Sequence, residues 1–214
     1  MLIGIPCMDE VDTLFMGSLI GLKRNCDIHI DIKKGSLIFD ARNEIAVDAI
    51  TQGADRVLWL DSDMRFSGDL MERMSARIDQ GCEMVCGIFF KRIIPTVPVI
   101  YTELAPPTVD AEGKKTGHVV PYMDYPKDSL FEVNACGFGA VMMTTELIKA
   151  VWDAYRQPPF IPFDWCGEDM AFCYKARQLG RKIWCDSSIK VGHIGKMEFN
   201  EQTYLSQVKA NANK

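Results

Sequence analysis

The chain has 214 residues, 48% of them hydrophobic and 25% charged, with a formal net charge of −5. That length suits one α/β domain rather than two, and the balance is that of a globular protein, which excludes disorder as the default. The acidic balance gives no general electrostatic grip on nucleic acid, because such binding neutralises many phosphates; a local basic groove stays open.

Residues 2–6 read as a first strand, followed by a turn, Cys7-Met8-Asp9-Glu10, and a helix whose inward positions are Val11, Leu14, Phe15, Leu19 and Leu22. Residues 27–32 alternate polar and apolar, as a strand with one wet face does, and His29 falls on the polar side as an exposed strand residue. A helix is predicted over 40–52, with Asp40 as N-cap and Ile45, Ala46, Ala49 and Ile50 facing inward. Arg42 and Asn43 then occupy its first turn, where free backbone N–H groups and the helix dipole favour anions. A surface arginine at a helix terminus is common, but this helix feeds directly into the strand over 56–60, which places its first turn near the nucleotide end of a Rossmann-like half-domain and favours an arginine that binds phosphate or carboxylate.

The next stretch is an uninterrupted apolar run, Val57-Leu58-Trp59-Leu60, ending in Asp61-Ser62-Asp63. Such a run suits a strand buried on both faces of a parallel sheet. Side chains two apart on an extended backbone point the same way, so Asp61 and Asp63 converge just past the strand. Two anions held that close call for a hard divalent cation such as Mn²⁺ or Mg²⁺, with a phosphate as co-ligand. Asp-x-Asp is so common that, taken alone, a solvated helix-capping loop is the better account of it. Its place at the end of a buried strand favours the ligand-binding reading, because open α/β sheets bind ligands at that edge.

A helix over 68–80 and a strand over 83–90 continue the alternation of a doubly wound parallel sheet. Residues 91–127 carry six prolines, which break the periodicity and leave short strands at 97–101 and 118–122 around a turn at Glu112-Gly113-Lys114. This irregular insertion is placed to form an acceptor-binding lid; His118 within it reads as a surface residue. Residues 131–143 form strand, glycine turn and strand, with Gly137 and Gly139 allowing positive φ and close backbone approach to a ligand. A bulge that merely turns the sheet accounts for them equally well.

A helix over 144–155 and a proline loop deliver Asp164-Trp165-Cys166-Gly167-Glu168-Asp169, where a further helix begins. The dipole should keep Asp169 ionised near neutral pH, as a general base requires, although capping alone explains an acidic first turn. Short strands at 182–185 and 189–191 lead to His193 between Gly192 and Ile194-Gly195, an apolar setting in which metal ligation would satisfy the imidazole. Residues 197–214 form a polar tail with a short amphipathic piece over 199–208. No two of the eight cysteines form a Cys-x-x-Cys pair, so they read as reduced, mostly buried small hydrophobes.

These elements, from Ile3 to about Gly195, resemble the GT-A glycosyltransferases. Ile3-Gly4-Ile5-Pro6 is similar to the family's first strand, Ala41-Arg42-Asn43 to the segment near the donor diphosphate, and Leu58 to Asp63 to the metal-binding Asp-x-Asp strand. Gly137-Phe138-Gly139 resembles the glycine loop beside the donor sugar, Glu168-Asp169 the acidic pair whose aspartate is the base in inverting members, and His193 the late metal ligand. The first loop departs from the pattern, reading Cys-Met-Asp-Glu where many relatives carry an aromatic and Asn-Glu.

The resemblance implies an α/β GT-A fold: a Rossmann-like, mostly parallel central sheet flanked by helices, with a small acceptor-side insertion. It implies one catalytic domain over 1–196 and a tail over 197–214. Implied roles are Asp169 and Glu168 in catalysis, and Asp61, Asp63 and His193 on Mn²⁺ or Mg²⁺. Donor contacts would come from Pro6, Asp9, Arg42, Asn43, Asp61, Ser62, Gly137, Phe138 and Gly139, with Trp165 on the acceptor side. The donor would be a nucleoside diphosphate sugar, a UDP-sugar favoured, and the acceptor a glycan, lipid-linked saccharide, protein or modified DNA base.

No apolar run nears the roughly 20 residues that cross a bilayer, and Met1 leads straight into a strand without a signal-like leader. The expected location is therefore cytoplasmic, in a bacterium or a phage-infected host, as the compact format implies. Two rivals are a nucleotidyltransferase acting on sugar phosphates and a non-catalytic sugar-binding protein on the same scaffold. Against the first, no glycine-rich basic loop follows the first strand to cradle a triphosphate.

Overall fold

The computed structural model describes residues 1–35, 37–109, 112–113, 115–195, 198 and 200–212. Lys114, the side chain of His118 and Phe199 lie outside the described set.

In chain order the elements are β1 (Leu2–Cys7), α1 (Thr13–Ile20), β2 (His29–Lys34), α2 (Ile38–Thr51), β3 (Arg56–Leu60), β4 (Met64–Arg65) and α3 (Leu70–Asp79). They continue as β5 (Met84–Ile88), β6 (Ile100–Val109), β7 (Lys115–Pro121), β8 (Leu130–Val133), β9 (Ala135–Cys136) and β10 (Ala140–Thr144). The chain closes with α4 (Thr145–Tyr155), α5 (Glu168–Gln178), β11 (Ile183–Lys190), β12 (Gly192–His193) and α6 (Glu201–Ala212).

Seven strands form the main sheet in the order β2-β1-β3-β10-β5-β11-β8. β1 pairs parallel with β2 and β3, and β5 pairs parallel with β11, while β10 runs antiparallel to both its neighbours and β8 antiparallel to β11. Central position explains the apolar run: Val57 to Leu60 are wholly buried between β1 and β10 with helices on both faces. β10 is reversed because the chain reaches it from the 137–139 turn, which already lies at the carboxyl edge of β3. The Asp61 N–H donates to the Gly139 carbonyl at 3.1 Å and fixes that meeting.

Several local expectations are corrected. Leu14 points to solvent, because α1 turns Phe15 and Leu19 fully inward, with Met16 partly buried beside them. α2 starts at Ile38 with Leu37 at its N-cap, so Asp40 lies inside the first turn and Arg42 in the next, turned inward and buried. The prolines of 91–127 do not prevent long strands: β6 and β7 form a ribbon whose register shifts between Ala105 and Thr108, and this irregularity takes up Pro106 and Pro107. β11 is one strand with a bulge after Asp186 rather than two short ones. Gly137 and Gly139 are not among the positive-φ glycines, which are Gly53, Gly81, Gly113 and Gly180; the glycine turn is instead a matter of space.

The tail folds back as α6, where Tyr204 stacks on Phe90 at 5.0 Å and donates its hydroxyl to the Met123 carbonyl at 3.0 Å. No helix among the described residues is long and apolar enough to cross a membrane.

The approach of α2 to β1 depends on Gly4, where a Cβ would sit 2.5 Å from Ile45 Cγ2 and 3.4 Å from the Trp59 ring. Replacing Gly4 with alanine should destabilise the protein by about 1–3 kcal/mol through overpacking; thermal and urea unfolding will measure it.

Candidate active site

The neighbouring strands β1 and β3 end side by side, so the turns that follow them meet at one edge of the sheet. The loops are stitched together: Asp12 N–H donates to the Ser62 carbonyl at 3.0 Å, and the Ser62 hydroxyl donates to the Glu10 carbonyl at 3.3 Å. A cavity of about 620 Å³ opens here, with Pro6, Asp9 and Ser62 on one side and Glu168 and Asp169 on the other. Asp61, Asp63 and His193 also line it.

His193 arrives through a two-residue ladder. β12 pairs antiparallel with β4, setting His193 opposite Met64, and the Ile194 N–H donates to the Asp63 carbonyl at 2.8 Å. The imidazole Nδ1 is 2.9 Å from the Phe90 carbonyl, which only accepts, so Nδ1 carries the proton. Nε2 then faces Asp63 Oδ2 at 3.5 Å.

The central cation is Arg42. Its Nη2 donates to Asp61 Oδ1 at 2.7 Å and its Nε to Glu168 Oε1 at 3.2 Å, joining the Asp-x-Asp turn to the start of α5. The guanidinium carbon lies 5.8 Å from the Trp59 ring and 5.3 Å from the Phe138 ring. Among the described residues buried Nη1 has no hydrogen-bond partner, and the guanidinium lies against aromatic faces, which carry negative quadrupole charge. Burial opposes the charge on Arg42, but Asp61, Glu168 and Asp169 outweigh it and hold the guanidinium firmly protonated.

The carboxylates titrate differently. Burial, opposed by Arg42 and reinforced by Asp63, raises Asp61 above the usual carboxylate range. Asp63 is lowered: burial pushes it up, but hydrogen bonding and charge from His193 and the charge of Arg92 win. Asp169 is pushed up to about 6 by burial and the adjacent Glu168, against the Met170 N–H at 2.7 Å and Arg42. Burial outweighs the favourable first-turn position, yet at about 6 the group is still ionised near neutral pH.

Other expected contacts are placed elsewhere. Asn43 Oδ1 accepts the buried Phe160 N–H at 2.9 Å, holding the loop before α5 rather than lining the cavity. Phe138 is buried beneath Arg42 and packs edge-on against Phe160 and Phe172. Gly137 and Gly139 act as spacers: a Cβ would come within 2.6 Å of Val99 Cγ1 at the first and 3.0 Å of Phe89 Cζ at the second. Trp165 lies half-buried outside the cavity lining, stacked on Phe163 at 5.5 Å and edge-on to Tyr174.

Sequence reasoning missed Arg92, which lines the cavity and places Nη1 2.7 Å from Asp63 Oδ2. The signal was available: Lys91-Arg92 directly follows the buried strand β5 and so falls at the same edge of the sheet as Asp61.

Truncating Arg42 to alanine leaves Asp61 and Glu168 without their cation and should destabilise the fold by about 3 kcal/mol at pH 7. The raised Asp61 gains a proton as pH falls, so the deficit should shrink in acid, as unfolding at pH 7 and pH 4 will show.

The sequence matches no protein-family model and no curated protein. In three dimensions the chain is similar to the crystal structure of A197 from STIV, with a TM-score of 0.63 and 20% identity over 91% of this chain and 85% of that one. It is also similar to GalNAc-T7 crystallised with UDP, GalNAc and Mn²⁺, with a TM-score of 0.57 and 15% identity over 91% of this chain and 43% of that longer one. Together with the large, mostly parallel central sheet flanked by helices, these likenesses establish that the chain has the GT-A fold.

Proposed function

We propose that the protein is a metal-dependent glycosyltransferase that moves a sugar from a nucleoside diphosphate sugar, with UDP-sugars favoured, to an acceptor hydroxyl. The observation that carries this reading is the convergence on one cavity of Asp61, Asp63 and His193 with the Glu168-Asp169 pair, from segments far apart in the chain. The GalNAc-T7 crystal with UDP, GalNAc and Mn²⁺ supports the same ligand class.

The residues fit a divalent cation. Asp63 Oδ2 and Nε2 of His193 are 3.5 Å apart, and a neutral imidazole with its Nδ1 proton on the Phe90 carbonyl would offer a cation its Nε2 lone pair beside that carboxylate. The Phe90 carbonyl that fixes the ring is the kind of outer support metal-bound histidines use. Among the described residues no three such side chains are gathered tightly enough to hold a metal as they stand, because Asp61 is drawn to Arg42. Asp63 and His193 would hold the ion, with Asp61 adjoining. An ion there supplies Lewis-acid neutralisation of the departing diphosphate.

The remaining chemistry belongs to the chain. Asp169, ionised at pH 7, takes the proton of the acceptor hydroxyl as its oxygen bonds to the anomeric carbon. The bond from that carbon to the diphosphate breaks and the electron pair leaves with phosphate. Glu168, held by Arg42, keeps the start of α5 in register with the donor side. Pro6, Asp9 and Ser62 border the donor end, while the aromatic group of Trp165, Phe163 and Tyr174 offers apolar ring faces on the acceptor side. Residues 1–196 form the catalytic unit, with 91–127 as the acceptor-side cover.

In a donor-hydrolysis assay with Mn²⁺, nucleoside diphosphate rather than pyrophosphate should be released, and a chelator should stop it. Asp63→Ala should abolish this turnover with the fold intact by circular dichroism; full activity would discard the assignment. Turnover should fall as pH drops through about 6, where Asp169 gains its proton. Asp169→Asn should be inactive yet more stable by about 2 kcal/mol at pH 7. The wild-type charge costs its full amount above the folded value of about 6, and that cost vanishes below the ordinary aspartate value of 3.8. The gain should therefore disappear below about pH 4.

A further inference from the structure

Each carboxylate of the Asp-x-Asp turn carries an arginine, and the two arginines are held in opposite ways. The Arg42 side chain is 3% exposed, boxed by Trp59 and Phe138 and tied to two carboxylates. The Arg92 side chain is 47% exposed and comes from the loop that follows β5. Among the described residues it contacts Asp63 Oδ2 at 2.7 Å and the Ile194 carbonyl at 3.1 Å, both through the single nitrogen Nη1.

The oxygen Arg92 grips is the same one that lies 3.5 Å from His193 Nε2. A cation held by Asp63 and His193 would compete directly with the guanidinium. Arg42 grips different oxygens, Asp61 Oδ1 and Glu168 Oε1.

Resting on the reading of this cavity as a donor site, we propose that Arg92 is an exchangeable counter-ion. It neutralises Asp63 while no divalent cation is bound, gives up the carboxylate when one enters, and transfers its guanidinium to the diphosphate of the donor. The exchange is favoured at both ends. A guanidinium beside a newly bound divalent cation is repelled, and a diphosphate in the same cavity offers paired oxygens that match its fork of donors. Arg92 thus opposes the metal alone and favours metal and nucleotide together, which couples the two binding events. Buried Arg42 stays in place throughout and keeps Asp61 aligned.

The test is titration calorimetry on the full chain with MnCl₂ alone, then with UDP, GDP, ADP and CDP at saturating Mn²⁺. Wild type is compared with Arg92→Ala, Arg92→Lys and, as a control of equal charge, Arg65→Ala, whose exposed guanidinium pairs with Glu198. Arg92→Ala should bind Mn²⁺ alone about fivefold more tightly, as expected for release of a partly exposed ion pair. The same variant should bind the preferred nucleotide about tenfold more weakly. Arg92→Lys should bind Mn²⁺ as wild type does and the nucleotide with intermediate affinity, and Arg65→Ala should match wild type in both.

Mn²⁺ affinity unchanged or weakened in Arg92→Ala, or nucleotide affinity unchanged, overturns the exchange while leaving the donor-site reading standing. A wild type that takes up neither Mn²⁺ nor any of the four nucleotides overturns that reading, and the exchange with it. Thermal unfolding of each variant separates these results from loss of fold, which the exposure of Arg92 makes improbable.

Discussion

The site is built around one buried guanidinium. Arg42 joins Asp61, at the end of β3, to Glu168, at the start of α5, so segments more than a hundred residues apart are fixed by a single side chain. Burying that charge is costly, and it is tolerated because two carboxylates and two aromatic faces surround it. The geometry beneath it follows: Phe138 must be aromatic to support Arg42, and Gly137 and Gly139 must be small to let Phe89 and Met64 fill the space around it. Arrangements of this kind secure position more than they add stability.

Around this clamp the same side-chain type is given three electrostatic settings. Asp63 sits with His193 and Arg92 and is lowered; Asp61 is buried and raised; Asp169 is pushed up to about 6. Carboxylates separated in this way can divide cation binding from proton transfer. Asp61, Asp63, Glu168 and Asp169 outnumber Arg42 and Arg92, so the cavity carries excess negative charge. Such a cavity draws a divalent cation and repels a bare diphosphate, and the two are therefore expected to occupy it together.

The reversed strand β10 has the same logic at the level of the fold. Entering the sheet from its carboxyl edge, it places the 137–139 turn beside Asp61 and lets β5 end close enough for the Phe90 carbonyl to orient His193. The β4–β12 ladder completes the arrangement with very few residues. A parallel strand in the place of β10 would bring its glycine turn to the opposite edge of the sheet.

Read alone, the sequence determined what is local and periodic: the buried run into Asp61 and Asp63, most helices, the cavity edge, and the GT-A resemblance carried by short motifs in order. Burial and long-range pairing are not encoded in spacing, and there the tertiary structure decided. Nothing in Asn43 marks it as the acceptor for the Phe160 N–H, and Asp169 looked dipole-stabilised because its desolvation depends on residues distant in the chain. Arg42 was legible as an anion-binding group in an early helical turn, but not as a buried one, because the rings that cover it come from β3 and the turn before β10. Arg92 was overlooked because its meaning lies in Asp63, which it meets only after the whole sheet has formed. Side-chain chemistry is written residue by residue, whereas the dielectric and the partners that set its strength exist only once the chain has closed around it.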